Sequence, residues 1–173
     1  FDSLLLSSQI KDGKKYLSLQ SNEVDAEIAG KFTIMELPDA FRVFLSRYYP
    51  TYIKTPAYWV KDQDFTFDIK TKKIDEYLKL FDSKLNGLNY ATIHGSLQLA
   101  NYDLPLTAKV PEFEYEGKKF FNIDLKGNGN RDTLITDIAV DDIYITDSLH
   151  FPGTKLHVRS NNDISDIHLK TSA

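Results

Sequence analysis

The sequence predicts a mainly β fold with two short α-helices, built as a long antiparallel meander that is curled into a groove (β-taco-like) or forms a sandwich. Three observations favour this fold class. Apolar and polar residues alternate over most of the chain, turn signals separate the alternating stretches, and the connections are too short for the crossovers between parallel strands. No linker divides residues 1–173, so we expect a single β-rich domain.

The first predicted element is a β-hairpin. The segments LLLSSQI and KYLSLQS flank residues 11–14, where Asp-Gly favours a two-residue type I′ turn. With this turn Leu6 faces Leu19 and Ser8 faces Leu17, so the leucines of both strands share one face. VDAEIAGKFTI continues the alternation as a third strand.

Two interruptions of the alternation predict helical inserts near 38–49 and 72–86. The first contains a stripe with spacings of three and four residues: Phe41, Phe44, Leu45 and Tyr48. Pro38 suits the first turn of this helix, and Pro50 ends it. The second insert contains a similar stripe: Ile74, Tyr77, Leu78, Phe81 and Leu85. Between the inserts, DFTFDIKT predicts a strand.

From Leu88 onward the whole sequence predicts strands. NYATIHGSLQLANYDLPLTAKV favours a hairpin with residues 101–102 as its loop, in which Leu97 faces Leu106 and Ile93 faces Val110. Further alternating segments follow, and turn signals at 116–117, 127–130, 152–153 and 161–163 separate them.

The charge and composition exclude several classes of function. The net charge is −4 with both signs mixed along the chain, so we expect no nucleic-acid partner. The absence of cysteine excludes disulfides, thiolate metal sites and a cysteine nucleophile. No apolar run approaches the ~20 residues that a spanning helix needs, so we expect no membrane span in this chain.

No constellation of residues predicts catalysis, so we expect neither an enzyme nor a cofactor or metal site. The acidic residues of the C-terminal half are interpreted as outer-face and turn positions: Asp137, Asp141, Asp142 and Asp147. The histidines lack metal-site spacing and are interpreted as scattered surface residues: His94, His150, His157 and His168. The Gly-Asn-Gly-Asn segment at 127–130 is interpreted as a turn, because a strand follows it and phosphate loops open a helix.

One aromatic cluster has two interpretations: Tyr48, Tyr49, Tyr52, Tyr58 and Trp59. The rings either pack the first helix onto the sheet, which the neighbouring helical stripe favours, or form a carbohydrate platform or membrane-interface patch. An envelope hydrolase or glycan-binding module would rest on this cluster together with the carboxylates.

Two stretches resemble a known family. IKDGKKYLSLQSNEVDAEIAGKFTIMELPDAFRVFLSRYYP and DDIYITDSLHFPGTKLHVRSNNDISDIHLKTSA are similar to segments of the large envelope proteins of the TamB family, within the AsmA-like group. The resemblance implies that this chain, which begins at Phe1, is an internal periplasmic segment of a protein anchored in the inner membrane of a Gram-negative cell. It also implies an apolar β-groove for phospholipid passage to, or protein assembly in, the outer membrane, with an outer-membrane barrel as partner. The helical inserts would then plug or cap the groove.

On this basis we predict that the apolar face contacts phospholipid acyl chains. The predicted lipid-contacting residues are Leu97, Leu99, Leu104, Leu106, Phe121, Ile123 and Leu125. One alternative is that these side chains form an ordinary core with no ligand. Another is a protein-interaction scaffold that binds clients by β-strand addition, without lipid.

Overall fold

The protein is one open antiparallel β-sheet with two short helices, as described by a computed structural model for residues 3–80 and 82–172. The strands are β1 (Leu4–Lys11), β2 (Lys14–Ser21), β3 (Val24–Lys31), β4 (Asp64–Thr71), β5 (Leu85–Gly87), β6 (Thr92–Gln98), β7 (Leu104–Tyr115), β8 (Lys118–Gly129), β9 (Leu134–Thr146), β10 (Leu149–Asn161) and β11 (Ile164–Lys170). The helices are α1 (Leu37–Ser46), which follows a 3-10 turn at Ile34–Glu36, and α2 (Asp75–Leu78).

The sheet runs in the order β1-β2-β3-β4-β6-β7-β8-β9-β10-β11, while the short β5 pairs with the far end of β7. It is not closed into a barrel, and the described residues form no second sheet. The predicted mainly β class with a long antiparallel meander is therefore confirmed, and the sandwich alternative does not apply.

The first hairpin is confirmed in its register. Leu6 pairs with Leu19 and Ser8 with Leu17. Asp12 and Gly13 both have positive φ angles, 52° and 74°, as the two central residues of a type I′ turn require.

The second predicted hairpin forms with a different register. Ile93 pairs with Ala108 instead of Val110, and Leu106 pairs with Gly95 instead of Leu97. The cause is the loop, because residues 99–101 form a 3-10 turn and Tyr102 adopts a left-handed conformation. The loop is therefore longer than the predicted pair of residues, and each partner moves by two positions. A shift of two leaves every side chain on its predicted face.

The first helical insert is confirmed, whereas the second is much shorter than predicted. Within 72–86, α2 is a single turn and Leu85–Gly87 is strand β5, paired with β7. Asp75 explains the change of direction, because its carboxylate accepts hydrogen bonds from the Gly87 N–H (2.8 Å) and from the Asn89 side chain. Pairing with β7 thus outweighs the helical spacing, and Phe81 lies outside the described residues.

Two of the predicted turns are strand instead. β8 continues through Gly129, and β10 continues through Pro152 and Gly153. Gly153 has a φ of 56° inside β10, and the register of β10 shifts just before it, between Leu149 and His150. Both strands stay paired with β9, which is unbroken over 13 residues.

The core lies where α1 packs on one face of the sheet. Its buried apolar residues are Phe32, Ala40, Phe44, Tyr48, Val60, Phe65, Phe67, Leu97, Leu99 and Leu104. Phe41 of α1 contacts Phe65 and Phe67 edge-to-face, at ring-centroid distances of 6.0 and 5.9 Å. At the other end, Tyr48 donates a hydrogen bond to the Asn130 carbonyl and Tyr49 bonds the Ser160 hydroxyl at 2.7 Å. The helix and the residues after it therefore reach from β4 to β10.

Much of the sheet remains exposed to solvent. The accessible surface is 11265 Å², whereas a folded monomer of 19.8 kDa typically exposes roughly 8,600 Å². The excess follows from a wide single-layer sheet of which α1 covers only a part.

Candidate functional site

An uninterrupted apolar row crosses the sheet at right angles to the strands. Each member pairs in register with the next, with one residue from every strand except β5: Leu6, Leu19, Ala26, Ile69, Ile93, Ala108, Leu125, Ile138, Leu156 and Leu169. The row has no polar member, and we call it the apolar row. With neighbouring strands ~4.8 Å apart, its ten members span about 43 Å.

The apolar row lies beside the core and is only partly covered. Its eight inner members are half-buried, and the end residues Leu6 and Leu169 are 62% and 63% exposed. Ile69 and Ile93 pack against the core on the side of α1. On the other side, Val140 and Thr154 are buried. The row is therefore a partly open apolar strip between two covered regions.

The seven predicted lipid-contacting residues lie in four different environments. Leu97, Leu99 and Leu104 are buried in the core beneath α1. Leu106 is half-buried at the border of that core. Leu125 belongs to the apolar row, and Ile123 lies on the same face two residues along β8.

Phe121 is separated from the other two β8 residues by an irregularity. Asn122 has a φ of 50°, in the left-handed region, and Phe121 pairs with Asp142 instead of an apolar residue. Its ring contacts Tyr144 edge-to-face at 5.8 Å, which places it in a separate aromatic contact. The structure therefore does not bring all seven residues together.

Nine members of the apolar row were not predicted as lipid contacts, although they lie in predicted strands: Leu6, Leu19, Ala26, Ile69, Ile93, Ala108, Ile138, Leu156 and Leu169. The alternation already assigns each of them to an apolar face. Joining them into one row required the register of nine strand pairs, and the β6–β7 register depends on a loop whose length the sequence did not reveal. The row could therefore not be predicted, because the sequence pattern does not show which strands pair, or in which register, over long distances in the chain.

Three of the four histidines pair with carboxylates across neighbouring strands. The distance from the histidine Nδ1 to the aspartate Oδ1 is 2.7 Å for His94 and Asp68. It is 3.0 Å for His150 and Asp142, and 2.6 Å for His157 and Asp137. All three pairs involve exposed or half-exposed side chains. Within residues 3–80 and 82–172, no group of three or more ligating side chains is placed to hold a metal ion.

The aromatic cluster divides into a packing part and an exposed part. Tyr48 is fully buried and Tyr49 is half-buried, as the packing interpretation requires. Tyr52, Tyr58 and Trp59 are 81%, 57% and 83% exposed, so that interpretation is wrong for these three. They follow the end of α1 on a loop that the sheet does not cover.

Two of these tyrosines have a shifted pKa. Burial raises the pKa of Tyr48 to about 12. The hydrogen bond that Tyr58 donates to Asp39 raises the pKa of the phenol and lowers the pKa of the carboxyl. The Tyr48 hydrogen bond joins the segment after α1 to the Asn130 carbonyl, and the Tyr58 hydrogen bond joins the following loop to Asp39 of α1. Neither bond lies at the apolar row.

Among residues 3–80 and 82–172, the two outer strands each have one backbone edge without a partner strand. β1 and β11 are the ends of the sheet order, so each pairs on one side only. Leu6 and Leu169 end the apolar row at these edges, and successive antiparallel pairings make β1 and β11 run in opposite directions. A strand added at either edge would extend the sheet and its apolar row.

No protein-family model, curated protein or solved structure matches the chain. The resemblance to the TamB family therefore stays a prediction. Of the helices in the described part of the chain, none is long and apolar enough to cross a membrane.

Proposed function

We propose that the apolar row binds phospholipid acyl chains, in a periplasmic segment of a TamB- or AsmA-like envelope protein that supports phospholipid passage to, or protein assembly in, the outer membrane. The observation that carries this proposal is the row itself, with one aliphatic side chain on every strand of the continuous sheet. An acyl chain gains about 0.8 kcal/mol per CH₂ that leaves water, without directional contacts.

The uniformity of the row suits movement along it. Leucine, isoleucine and alanine offer similar contacts at every strand, so a bound chain meets no polar barrier from Leu6 to Leu169. The ~43 Å length exceeds the ~30 Å hydrocarbon thickness of a bilayer, which leaves room for more than one acyl chain along the row.

The covered region gives the row a side wall. α1 packs over Phe65 and Leu97, which lie on the same face as Ile69 and Ile93. The helix thus occupies the neighbouring part of the face and leaves the row itself partly open. In this proposal α1 borders the lipid path without closing it.

The test is phospholipid retention by a variant with a charge in the middle of the row. Native mass spectrometry of the purified chain mixed with phospholipid should detect bound lipid, and Leu125→Glu should reduce the bound fraction at least ~10-fold, because a carboxylate lies in the acyl path. Circular dichroism checks that this variant keeps its sheet. A folded Leu125→Glu variant that retains lipid as the parent chain does would contradict the proposal.

The edge strand β1 supplies a matched control. Leu5 and Leu6 are 61% and 62% exposed but point to opposite faces, and only Leu6 belongs to the apolar row. We expect Leu6→Glu to weaken lipid binding and Leu5→Glu to leave it unchanged. Equal effects of the two substitutions would show that binding does not depend on the face.

A second candidate function is favoured by the unpaired edges of β1 and β11. Either edge can accept an extended segment of a client protein through backbone hydrogen bonds, without a lipid. The probe is a peptide with the sequence of β11, ISDIHLK, which runs antiparallel to β1 when it extends the sheet. Slower hydrogen exchange of β1 amides with this peptide, in a chain that takes up no phospholipid, would favour the scaffold.

A further inference from the structure

The face opposite the apolar row contains an open cavity over strands β7–β11. Its volume is about 910 Å³, and lysine, aspartate and histidine residues line it together with Ala139 and two members of the apolar row, Ile138 and Leu156. Ala139 lies at the middle of this region, in register with Asp124 on one side and Lys155 on the other. The depression forms because a methyl group stands where the neighbouring strands carry long side chains.

Some of the charges around the cavity are paired with one another. Lys109 Nζ lies 3.6 Å from an Asp124 carboxylate oxygen, and His157 Nδ1 lies 2.6 Å from an Asp137 carboxylate oxygen. These two pairs account for both carboxylates that line the cavity. Lys126 on β8 stands directly opposite Asp137 on β9, so it too has a carboxylate beside it.

Among the residues that the structure describes, two lysines at the cavity have neither an ion pair nor a carboxylate opposite them in the sheet: Lys155 and Lys170. Lys155 and Lys170 stand directly opposite each other on β10 and β11. The next pair on the same face, His157 and His168, has ring centroids 6.3 Å apart. Like charges placed directly opposite in a sheet repel each other, so this arrangement is unfavourable without an anion.

We propose that this cavity binds a phosphate-bearing anion, which the ammonium groups of Lys155 and Lys170 contact beside the Ala139 floor. Lysine presents a compact charge with three donors and is a common phosphate ligand. The anion would relieve the repulsion between Lys155 and Lys170. The phosphate belongs either to a small soluble molecule or to a lipid headgroup, and the two sources require different probes.

Isothermal titration calorimetry with inorganic pyrophosphate tests the soluble source. The double variant Lys155→Gln/Lys170→Gln should bind at least ~10-fold more weakly, whereas Lys14→Gln, at the distant β1–β2 turn, should bind as the parent chain does. Ala139→Leu changes no charge but fills the floor, so it should also weaken binding. Undiminished binding by Ala139→Leu would overturn the cavity site, because general attraction to a basic surface does not need the floor.

Vesicle flotation tests the headgroup source. Phosphatidylcholine vesicles with added phosphatidic acid should bind the parent chain more than phosphatidylcholine alone, and the lysine double variant should lose this difference. Lys14→Gln should keep it, because that residue lies at the distant β1–β2 turn. If the chain binds neither pyrophosphate nor phosphatidic acid, the proposal is overturned, while acyl binding by the apolar row is unaffected.

Discussion

Two regions of one sheet face share the same alternating sequence pattern but differ in burial. Leu97, beneath α1, is completely buried, whereas Leu125, in the apolar row, is half-buried. Each leucine lies in a strand between two paired neighbours. The difference arises from a helix inserted between β3 and β4, far from either residue in sequence. Alternation therefore specifies a face, and the insert decides which part of that face becomes core.

The comparison separates structural from functional apolar side chains. A buried leucine contributes its full transfer free energy and fills space that would otherwise be a cavity. A half-buried leucine contributes less to stability and keeps surface that a ligand can cover. In the proposed function, the partly open part of the face carries lipid at a modest cost in stability.

The largest expected effect comes from the same substitution in the two regions. Leu97→Ala should lower the free energy of unfolding by about 2–5 kcal/mol, because it removes a buried side chain and leaves a cavity. Leu125→Ala should lower it by about 1 kcal/mol, since part of that side chain is already in water. Urea denaturation measures both values.

Bound phospholipid must be removed before this comparison, because a ligand of the folded state adds its own stabilisation. Similar losses for Leu97→Ala and Leu125→Ala in the lipid-free chain would mean that the apolar row belongs to the core. The distinction between the two regions would then fail.

A pair of glycines in β8 gives the next largest contrast. A Cβ at Gly129 would overlap the ring of Phe44, whereas a Cβ at Gly127 would meet Leu106 Cβ at 3.4 Å, an ordinary contact. Gly129→Ala should cost about 1–3 kcal/mol by pushing α1 from the sheet. Gly127→Ala should be close to neutral. Thermal unfolding followed by circular dichroism would detect the difference, and equal melting temperatures would show that α1 does not depend on this approach.

Local signals were sufficient for much of the fold. Asp12-Gly13 correctly predicted the turn and register of the first hairpin, and the Phe41–Tyr48 stripe with Pro38 correctly predicted α1. In both cases the deciding contacts lie within a few residues in sequence. Such contacts leave a pattern that a single sequence can reveal.

The features that the sequence analysis predicted wrongly or missed depend on pairing between strands that are distant in sequence. The 72–86 segment has helical spacing, but Leu85–Gly87 pairs with a strand more than twenty residues away. The sequence has no local signal for the lysines at the cavity, since Lys155 stands opposite Lys170 only through the pairing of β10 with β11. The apolar row was missed for the same reason, because its members come together only through the register of strands from the whole chain.

The smallest expected effect concerns Tyr48, the buried residue that joins α1 to the turn after β8. Its pKa in the folded protein is about 12, whereas an exposed tyrosine titrates near 10. Below pH 10 the phenol is neutral in both states, and between pH 10 and about 12 only the unfolded chain loses the proton. Stability should therefore fall as the pH rises through this range, because the folded state holds a proton that the unfolded chain has lost.

Tyr48→Phe isolates this contribution from the other groups that titrate at high pH. It removes the hydrogen bond to the Asn130 carbonyl, so it should be less stable than the parent at pH 8 by about 1 kcal/mol. The gap should shrink as the pH rises from 10 to 12, because phenylalanine has no proton to lose. Tyr52→Phe, at an 81% exposed ring, should follow the parent throughout. A gap that stays constant with pH would show that the Tyr48 phenol is not held neutral by burial, and that α1 covers this end of the sheet less tightly than the structure shows.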